Sequence, residues 1–200
     1  MIGAIGRFAP LRGARRAQTR AIASFSDTFT SCTSADRKPT SLTRVMHELW
    51  RAQYNHGDCL VDATVGNGKD TLELARIAGP LDLDPSSIAP CRVHGFDIQS
   101  DAVEQARGLL RRELGEDEVA GIELYTCCHS ELSDVLDRSG VARGSVGNCV
   151  FNLGYLPGPD TDKSIVTSAS STLDCLDQAA TRWLRSEGIV SLLCYVGHPG

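Results

Sequence analysis

Short apolar runs alternate with amphipathic segments along most of the chain after residue 41. Five of these runs are too short for helices and are bounded by turn residues, which is typical of buried strands. They span residues 59–63, 92–97, 122–126, 148–152 and 188–196. Between them, apolar residues spaced three and four positions apart predict helices. Strands that alternate with helices in this way predict an α/β fold, a Rossmann-like doubly wound sheet with mostly parallel strands.

The same periodicity predicts which helix residues face the sheet. The predicted helices are 41–54, 70–78, one from Ser100, a short one at 130–136, and 172–184, with an inserted loop at 79–90. The inward residues are Leu42, Val45, Met46 and Leu49 in the first helix, Val103, Ala106, Leu109 and Leu110 in the third, and Leu173, Leu176, Ala180 and Trp183 in the last.

The first 41 residues differ in composition from the rest. They hold seven basic and two acidic residues, a net charge of +5, which leaves −10 for the remainder of a chain whose total is −5. The segment is rich in Arg, Ser, Thr and Ala and has no continuous apolar core, which is typical of a mitochondrial or plastid transit peptide. We therefore expect a disordered transit peptide at 1–40 and a folded domain at 41–200. A basic tail that binds nucleic acid is the alternative.

Length and cysteine content narrow the class of protein further. Two hundred residues suffice for one domain with a sizeable core. The eight cysteines show no C-x-x-C and no zinc-ligand spacing, so we expect buried thiols and no metal site. No apolar run reaches the ~20 residues of a membrane-spanning helix, and we expect no membrane partner.

The most informative stretch lies between the first predicted strand and the helix that follows it. It reads Asp62-Ala-Thr-Val-Gly66-Asn-Gly68-Lys-Asp70-Thr71. Two glycines one residue apart let the backbone turn sharply and approach a ligand, and the helix beyond presents unpaired N–H groups. The next strand ends in Asp97, well placed to accept hydrogen bonds from ribose hydroxyls. The pattern predicts a nucleotide-type cofactor site.

Charge distinguishes between two cofactors for this site. The NAD fingerprint has a third glycine beneath the pyrophosphate, but Thr71 occupies that position here. Asp62 would repel a pyrophosphate, whereas it would attract the ammonium group of a methionine moiety. The sequence therefore favours S-adenosylmethionine (SAM). His129 and Ser130 follow the third strand, where this architecture places the adenine, although a capping or loop pair is an equal interpretation.

The fourth predicted strand leads into a second distinctive segment. It reads Asn152-Leu-Gly-Tyr155-Leu-Pro157-Gly158 and resembles the N/D-P-P-Y loop of methyltransferases that modify amino nitrogens. In that loop an amide or carboxylate and backbone carbonyls accept hydrogen bonds from the target amine, and an aromatic ring stacks on it. Asn152 and Tyr155 match the pattern, whereas Leu153 and Gly154 replace the two prolines.

Together with residues 61–71, 95–99, 162–165 and 195–200, this loop forms a specific set of motifs. From about Ser41 to Gly200 the chain resembles the family labelled "putative rRNA methylase", whose characterised bacterial members are tRNA 5-aminomethyl-2-thiouridine methyltransferases. The resemblance implies a class I SAM-dependent methyltransferase. Its acceptor would be the aminomethyl nitrogen of a wobble uridine in tRNA, methylated without a dedicated strong base.

The pattern and the resemblance together assign roles to individual residues. The cofactor-binding set is Asp62, Thr64, Gly66, Asn67, Gly68, Asp70, Thr71, Asp97, Gln99, His129, Ser130 and Asn152. The catalytic set is Asn152, Tyr155 and His198. The substrate-binding set is Tyr155, Pro157, Asp162, Lys163 and Tyr195.

Two departures from the family pattern affect these expectations. The segment 157–162 is longer than the family's form, and the chain stops at Gly200, where the family continues with a helix and an antiparallel strand pair. We therefore expect a sheet that lacks its last strands. A domain of charge −10 binds polyanions poorly, and Lys163, Arg182 and Arg185 are the basic residues that could contact phosphates. An rRNA or small-amine acceptor, a non-catalytic SAM-binding subunit, and a homodimer stay open.

Overall fold

The computed structural model describes residues 2–7, 42–79, 92–154 and 167–194. The strands are β1 (Ile2–Arg7), β2 (Cys59–Asp62), β3 (Val93–Asp97), β4 (Ile122–Thr126), β5 (Val146–Leu153) and β6 (Leu184–Cys194). The helices are α1 (Leu42–Gln53), α2 (Lys69–Ala78), α3 (Ser100–Glu113), α4 (Glu116–Ala120), α5 (Leu132–Arg138) and α6 (Ala169–Gln178). A 3-10 turn at His129–Glu131 precedes α5, and a π-helical turn at Ala179–Trp183 follows α6.

The strands form one sheet in the order β1-β6-β5-β2-β3-β4. Strands β2 to β6 run parallel, and β1 pairs antiparallel with β6. The chain moves outward from β2 through β3 to β4 and then returns to the other side of β2 to form β5 and β6. In such sheets, ligands bind at the carboxyl ends of the strands where the order reverses. The predicted doubly wound, mostly parallel α/β fold is confirmed.

Helices cover both faces of this sheet. Neighbouring residues of a strand point to opposite faces of the sheet. In β2, the neighbours Leu60 and Val61 are both fully buried. Leu60 packs with Met46 and Trp50 of α1. Val61 belongs to the cluster on the other face, which contains Trp183 and the apolar residues of α5. The central strand β2 is apolar up to Asp62 because both of its faces are covered.

The predicted inward face of the last helix is wrong in part. Leu173 is 65% exposed, whereas Thr172 and Cys175 are buried. Trp183 is buried as predicted, but it lies in the π-helical turn, whose i→i+5 hydrogen bonds widen the helix. A prediction that counts back from Trp183 with a constant period of 3.6 residues is therefore displaced by one residue in α6. It selects Leu173 where the structure buries Thr172.

The amino-terminal segment also differs from the prediction. Residues 2–7 pair with residues 189–194 of β6, so the expectation of disorder over 1–40 is wrong for these six residues. The physical reason is that the free edge of a sheet offers unpaired N–H and C=O groups to an extended segment. The rest of the predicted transit peptide and nearly all of the predicted inserted loop at 79–90 lie outside the described residues.

Candidate functional site

The loop after β2 turns through two glycines with positive φ. Gly66 has φ 51° and Gly68, the residue before α2, has φ 80°. A Cβ atom at position 68 would lie 2.7 Å from the Cβ of Ala106 and 2.8 Å from its Cα. Gly68 therefore meets two requirements at once, a left-handed backbone conformation and a close approach of the amino end of α2 to α3.

We expect Gly68→Ala to lower the free energy of unfolding by about 3 kcal/mol, because it combines conformational strain with overpacking. Gly140, in the turn after α5, is the control, with φ 71° and no atom within 4 Å of the position that a Cβ would occupy. There the same substitution should cost only about 1 kcal/mol. Urea denaturation measures both values, and equal losses would contradict the packing argument.

Asp62 ends β2 beneath this loop and is almost completely buried, with 1% of its surface exposed. Its Oδ1 accepts a hydrogen bond from the N–H of Thr64 at 3.1 Å, and its Oδ2 accepts one from the hydroxyl of Thr71 at 2.6 Å. Burial, and secondly the nearby carboxylate of Asp70, raise the pKa of Asp62 from 3.8 to about 7. The carboxylate is thus held in place, and none of the described residues pairs with it as a cation.

Thr71 has a supporting position in this arrangement. It is fully buried, and its hydroxyl is directed at Asp62. Thr71, which replaces the third glycine of the NAD fingerprint, therefore orients the side chain of Asp62 through this hydrogen bond.

Asp97 ends β3 next to the glycine loop. Its Oδ2 accepts a hydrogen bond from the N–H of Gly66 at 2.8 Å, and its Oδ1 accepts one from the N–H of Gln99 at 2.9 Å. Each carboxylate oxygen keeps a second lone pair, so the group can still accept hydrogen bonds from a ligand. Between Asp97 and Gln99 lies Ile98, which is 54% exposed and is one of two large exposed hydrophobic residues in the described part of the chain.

His129 and Ser130 contribute to the fold of the loop after β4. The ring of His129 is buried, lies edge-on to Phe151 at 5.7 Å between centroids, and hydrogen-bonds to the backbone of Ala63. Burial lowers the pKa of His129, which favours the neutral ring. The carbonyl of Ser130 accepts a hydrogen bond from Gln178 at 2.7 Å. These contacts hold the pair in the loop. Nε2 of His129 is buried without a hydrogen-bond partner among the described residues, and the cofactor role of the pair stays a prediction.

Asn152 lies at the carboxyl end of β5 and is hydrogen-bonded to the loop after β2 and to the first turn of α2. Its backbone N–H donates to the hydroxyl of Thr64 at 2.7 Å, and its side-chain Nδ2 donates to Oδ2 of Asp70 at 3.1 Å. The other oxygen of Asp70 is 2.9 Å from Nε2 of His47 on α1. Sequence reasoning missed His47, because no local pattern indicates that α1 contributes to a site built from strand ends.

A small crevice of about 10 Å³, enough for one water molecule, lies beside Asn152 between α1 and the ends of β5 and β6. Its polar lining consists of Thr43, Asp70, Asn152 and Ser191. Its apolar side is formed by Met46, Trp50, Val150, Phe151 and Leu193. The loop after β2 and this crevice therefore meet at Asp70 and Asn152.

Several predicted residues cannot be placed in this geometry. Tyr155, Pro157, Asp162, Lys163, Tyr195 and His198 lie outside the described residues, and their roles stay predictions. Arg185 is placed, and it is not available for phosphate. Its guanidinium pairs with buried Asp58 at 2.8 Å and donates to the carbonyls of Gln53 and Ser186.

Within the described ranges, no three His, Cys, Asp or Glu residues are grouped as metal ligands would be. No described helix combines the length and apolar character needed to cross a membrane.

Comparison with known proteins gives consistent matches. Residues 93–200 match the profile of the family described as "Putative rRNA methylase". The chain is 37% identical over 158 residues to the chloroplastic tRNA (mnm(5)s(2)U34)-methyltransferase of Arabidopsis thaliana, a match that covers 79% of this chain and 54% of that protein. The chain thus spans about half the length of this curated relative.

Two solved structures are similar in fold. A "putative rRNA-methylase" from Clostridium thermocellum aligns with a TM-score of 0.57 and 29% identity over 72% of this chain and 66% of that one. A "putative methyltransferase" from Streptococcus mutans, solved in complex with S-adenosylhomocysteine (SAH), aligns with a TM-score of 0.54 and 21% identity over 73% of this chain and 68% of that one. The fold is that of the class I SAM-dependent methyltransferases.

Proposed function

Because this chain belongs to the rRNA methylase family, we propose that it transfers a methyl group from SAM to an amino nitrogen of RNA. The observation that carries this proposal is the shared boundary of two half-sites. A loop flanked by the carboxylates of Asp62 and Asp97 adjoins a crevice that presents Asn152, and Thr64 connects the two through a hydrogen bond.

The charge of the cofactor half-site fits SAM. Asp62 and Asp97 flank the glycine loop, and SAM carries both an ammonium and a sulfonium group. We propose that Asp62 receives the ammonium, which would supply a cationic partner for this carboxylate. The free lone pairs of Asp97 would accept the ribose hydroxyls. When bound, SAM supplies an electrophilic methyl group.

The exposed side chain of Ile98 fits the same cofactor. It follows Asp97 directly and offers an apolar surface for a purine ring beside the ribose. We expect Ile98→Ser to weaken SAH binding about 5- to 10-fold, which corresponds to roughly 1–1.4 kcal/mol of lost apolar contact. Isothermal titration measures it. Leu173→Ser, at the other exposed hydrophobic residue, is the control and should bind SAH as the wild type does.

The acceptor half-site fits a neutral amine. An alkylamine is mostly protonated at neutral pH, and a partly desolvated position next to a cationic donor lowers its pKa. The side-chain oxygen of Asn152 and the carbonyl of Leu153 would accept the N–H bonds of the amine and orient its lone pair towards the methyl carbon at about 3–3.5 Å. Tyr155, Asp162, Lys163, Tyr195 and His198 complete this half-site in the proposal.

As the specific acceptor we propose the aminomethyl group of 5-aminomethyl-(2-thio)uridine at the wobble position of tRNA. The name of the Arabidopsis relative supports this choice, since it names a methyltransferase for that nucleoside. The chloroplastic location in the same name and the basic, acid-poor leader support import into a plastid or mitochondrion. Imaging a fluorescent protein fused behind residues 1–41 tests the location.

The acceptor is tested with the full-length gene product. We incubate it with SAM and with tRNA from cells that lack the modification, and analyse the nucleosides by mass spectrometry. Methylated aminomethyluridine at the wobble position is the expected product. If rRNA or a free amine is methylated instead, the proposed tRNA acceptor is wrong. SAM binding without methyl transfer to any of these molecules would indicate a non-catalytic SAM-binding subunit.

A further inference from the structure

We propose that Asp70 is a positioning residue, which fixes the orientation of the Asn152 amide by linking it to His47. This inference rests on the proposed function, since it assigns a task within the same crevice. It changes the role that the sequence gives to Asp70, because a residue expected to bind the cofactor would instead act on the acceptor side.

The first argument comes from the chemistry of the contact between Asp70 and Asn152. An ionised carboxylate accepts hydrogen bonds and cannot donate them, so the amide must turn its Nδ2 towards Oδ2 of Asp70, 3.1 Å away. The opposite orientation would bring two oxygens into contact. The amide oxygen of Asn152 is therefore directed away from Asp70, and an amine that needs an acceptor for its N–H bond meets that oxygen.

The second argument is that both ends of Asn152 are restrained. Its backbone N–H is held by Thr64 at 2.7 Å, and its side chain is held by Asp70. The carboxylate of Asp70 is in turn restrained by His47, whose Nε2 lies 2.9 Å from Oδ1. The side chains of His47 and Asp70 are 22% and 12% exposed, so water competes only weakly for these hydrogen bonds.

The third argument is that His47 itself has a fixed position. It lies one turn before Trp50 on α1, and the two ring centroids are 4.9 Å apart. Trp50 is buried in the cluster beneath α1. Packing of Trp50 in the core thus fixes the position of α1 and of His47. His47 restrains Asp70, and Asp70 restrains the side-chain amide of Asn152.

A second carboxylate of α2 provides a matched control. Glu73 lies one turn after Asp70 and pairs with Arg51 of α1, so it also connects α1 to α2. It is absent from the lining of the crevice. Any effect that Asp70→Ala owes merely to weaker contact between the two helices should also follow from Glu73→Ala.

The first experiment needs no acceptor RNA. NMR measures hydrogen exchange of the Asn152 side-chain amide in the full-length protein, and isothermal titration measures SAH affinity. Asp70→Ala removes the acceptor and should speed the exchange at least about 10-fold, while leaving the SAH Kd within about threefold of the wild type. Glu73→Ala should change neither quantity by more than about twofold. An SAH affinity weakened 10-fold or more by Asp70→Ala would make Asp70 a cofactor ligand and overturn the proposal.

The second experiment measures methyl transfer to the tRNA. Asp70→Ala should reduce kcat about 30-fold with little change in KM, since a misoriented amide affects alignment more than binding. The double variant Asp70→Asn/Asn152→Asp exchanges donor and acceptor, so that the amide at 70 donates to the carboxylate at 152 and an oxygen still faces the acceptor. It should recover at least 5-fold of the lost kcat.

The outcomes of the two experiments separate the proposals. A double variant no more active than Asp70→Ala, or a wild-type kcat in Asp70→Ala, would overturn the positioning role. If the wild-type protein methylates no RNA, the proposed function fails. In that case the amide exchange and the SAH affinity still decide whether Asp70 holds Asn152 or binds the cofactor.

Discussion

Replacing Asp62 with Asn is expected to abolish tight SAM binding and, at the same time, to stabilise the cofactor-free protein at pH 8. The substitution is nearly isosteric: the amide oxygen can still accept from the N–H of Thr64, and the amide nitrogen can donate to the hydroxyl of Thr71. What is lost is the charge. Removing one partner of a buried, hydrogen-bonded charge pair costs about 2–5 kcal/mol, so we expect SAM affinity to fall about 100-fold or more.

The gain in stability follows from the raised pKa of Asp62. In the folded protein the pKa is about 7, against an ordinary value of 3.8, so between these pH values the folded chain holds a proton that the unfolded chain releases. Stability therefore falls as the pH rises from about 3.8 to about 7, and above that window the penalty is complete. Its upper value is about 4 kcal/mol for a shift of this size. Asp62→Asn removes it.

Thermal and urea unfolding from pH 4 to pH 8 check this part of the prediction. The wild type should lose stability across the window relative to Asp62→Asn, and the difference should level off above pH 7. A variant less stable than the wild type at pH 8 would show that the ionised carboxylate stabilises the empty fold, contrary to this account.

Titration of ligands checks the binding part. Below pH 7 the wild type should lose about 10-fold in SAH affinity per pH unit, because the ligand's ammonium requires an ionised Asp62. The probe 5′-methylthioadenosine retains the adenosine and lacks the amino-acid end. Its affinity should be the same for wild type and Asp62→Asn, whereas SAH affinity within threefold of wild type would exclude Asp62 as the ammonium ligand.

Asn152→Ala is expected to reduce kcat about 100-fold and to leave SAH affinity unchanged. Removing one oriented hydrogen-bonding group from a reacting centre has effects of about 100- to 1,000-fold in comparable sites. The variant keeps the backbone hydrogen bond to Thr64, so the strand end should stay in place. Single-turnover measurements with saturating RNA and SAM give the rate of the chemical step.

The control for this variant is Thr64→Val, which keeps the Asn152 side chain and removes the hydroxyl that holds its backbone. It should lower kcat less than Asn152→Ala does. Near-normal turnover in Asn152→Ala, with SAH bound as tightly as by the wild type, would mean that the amide has no part in aligning the acceptor.

The parallel strands and the turn of the glycine loop could be predicted from the sequence because their signals are local. Both faces of β2 are buried, so the strand is apolar without interruption, and its end is marked by Asp62 and two glycines. Asp97 could be placed next to this loop because parallel neighbours end at the same edge of the sheet. These features follow from short-range composition combined with one topological rule.

His47 could not be predicted in the same way. Its contact with Asp70 spans 23 residues, and nothing near it in the sequence distinguishes it from an ordinary helix residue. The same holds for the role of Trp50, which the periodicity of α1 passed over in favour of Leu49, although Trp50 is only 4% exposed. The packing angle of a helix determines which residue of a broad apolar face lies deepest, and a linear pattern does not contain that angle.

The hydrogen bond between Thr64 and the Asn152 backbone joins the parts of the chain that we propose to hold the methyl donor and the RNA. A ligand that steadies one part also restrains the other, so the two binding events are thermodynamically linked. Such linkage is reciprocal: RNA must tighten the hold on the donor by the same factor as the donor tightens the hold on RNA. Under the proposed function, dissociation of SAH or of the methylated RNA would then weaken the binding of the other product, so that the release of the two is coupled.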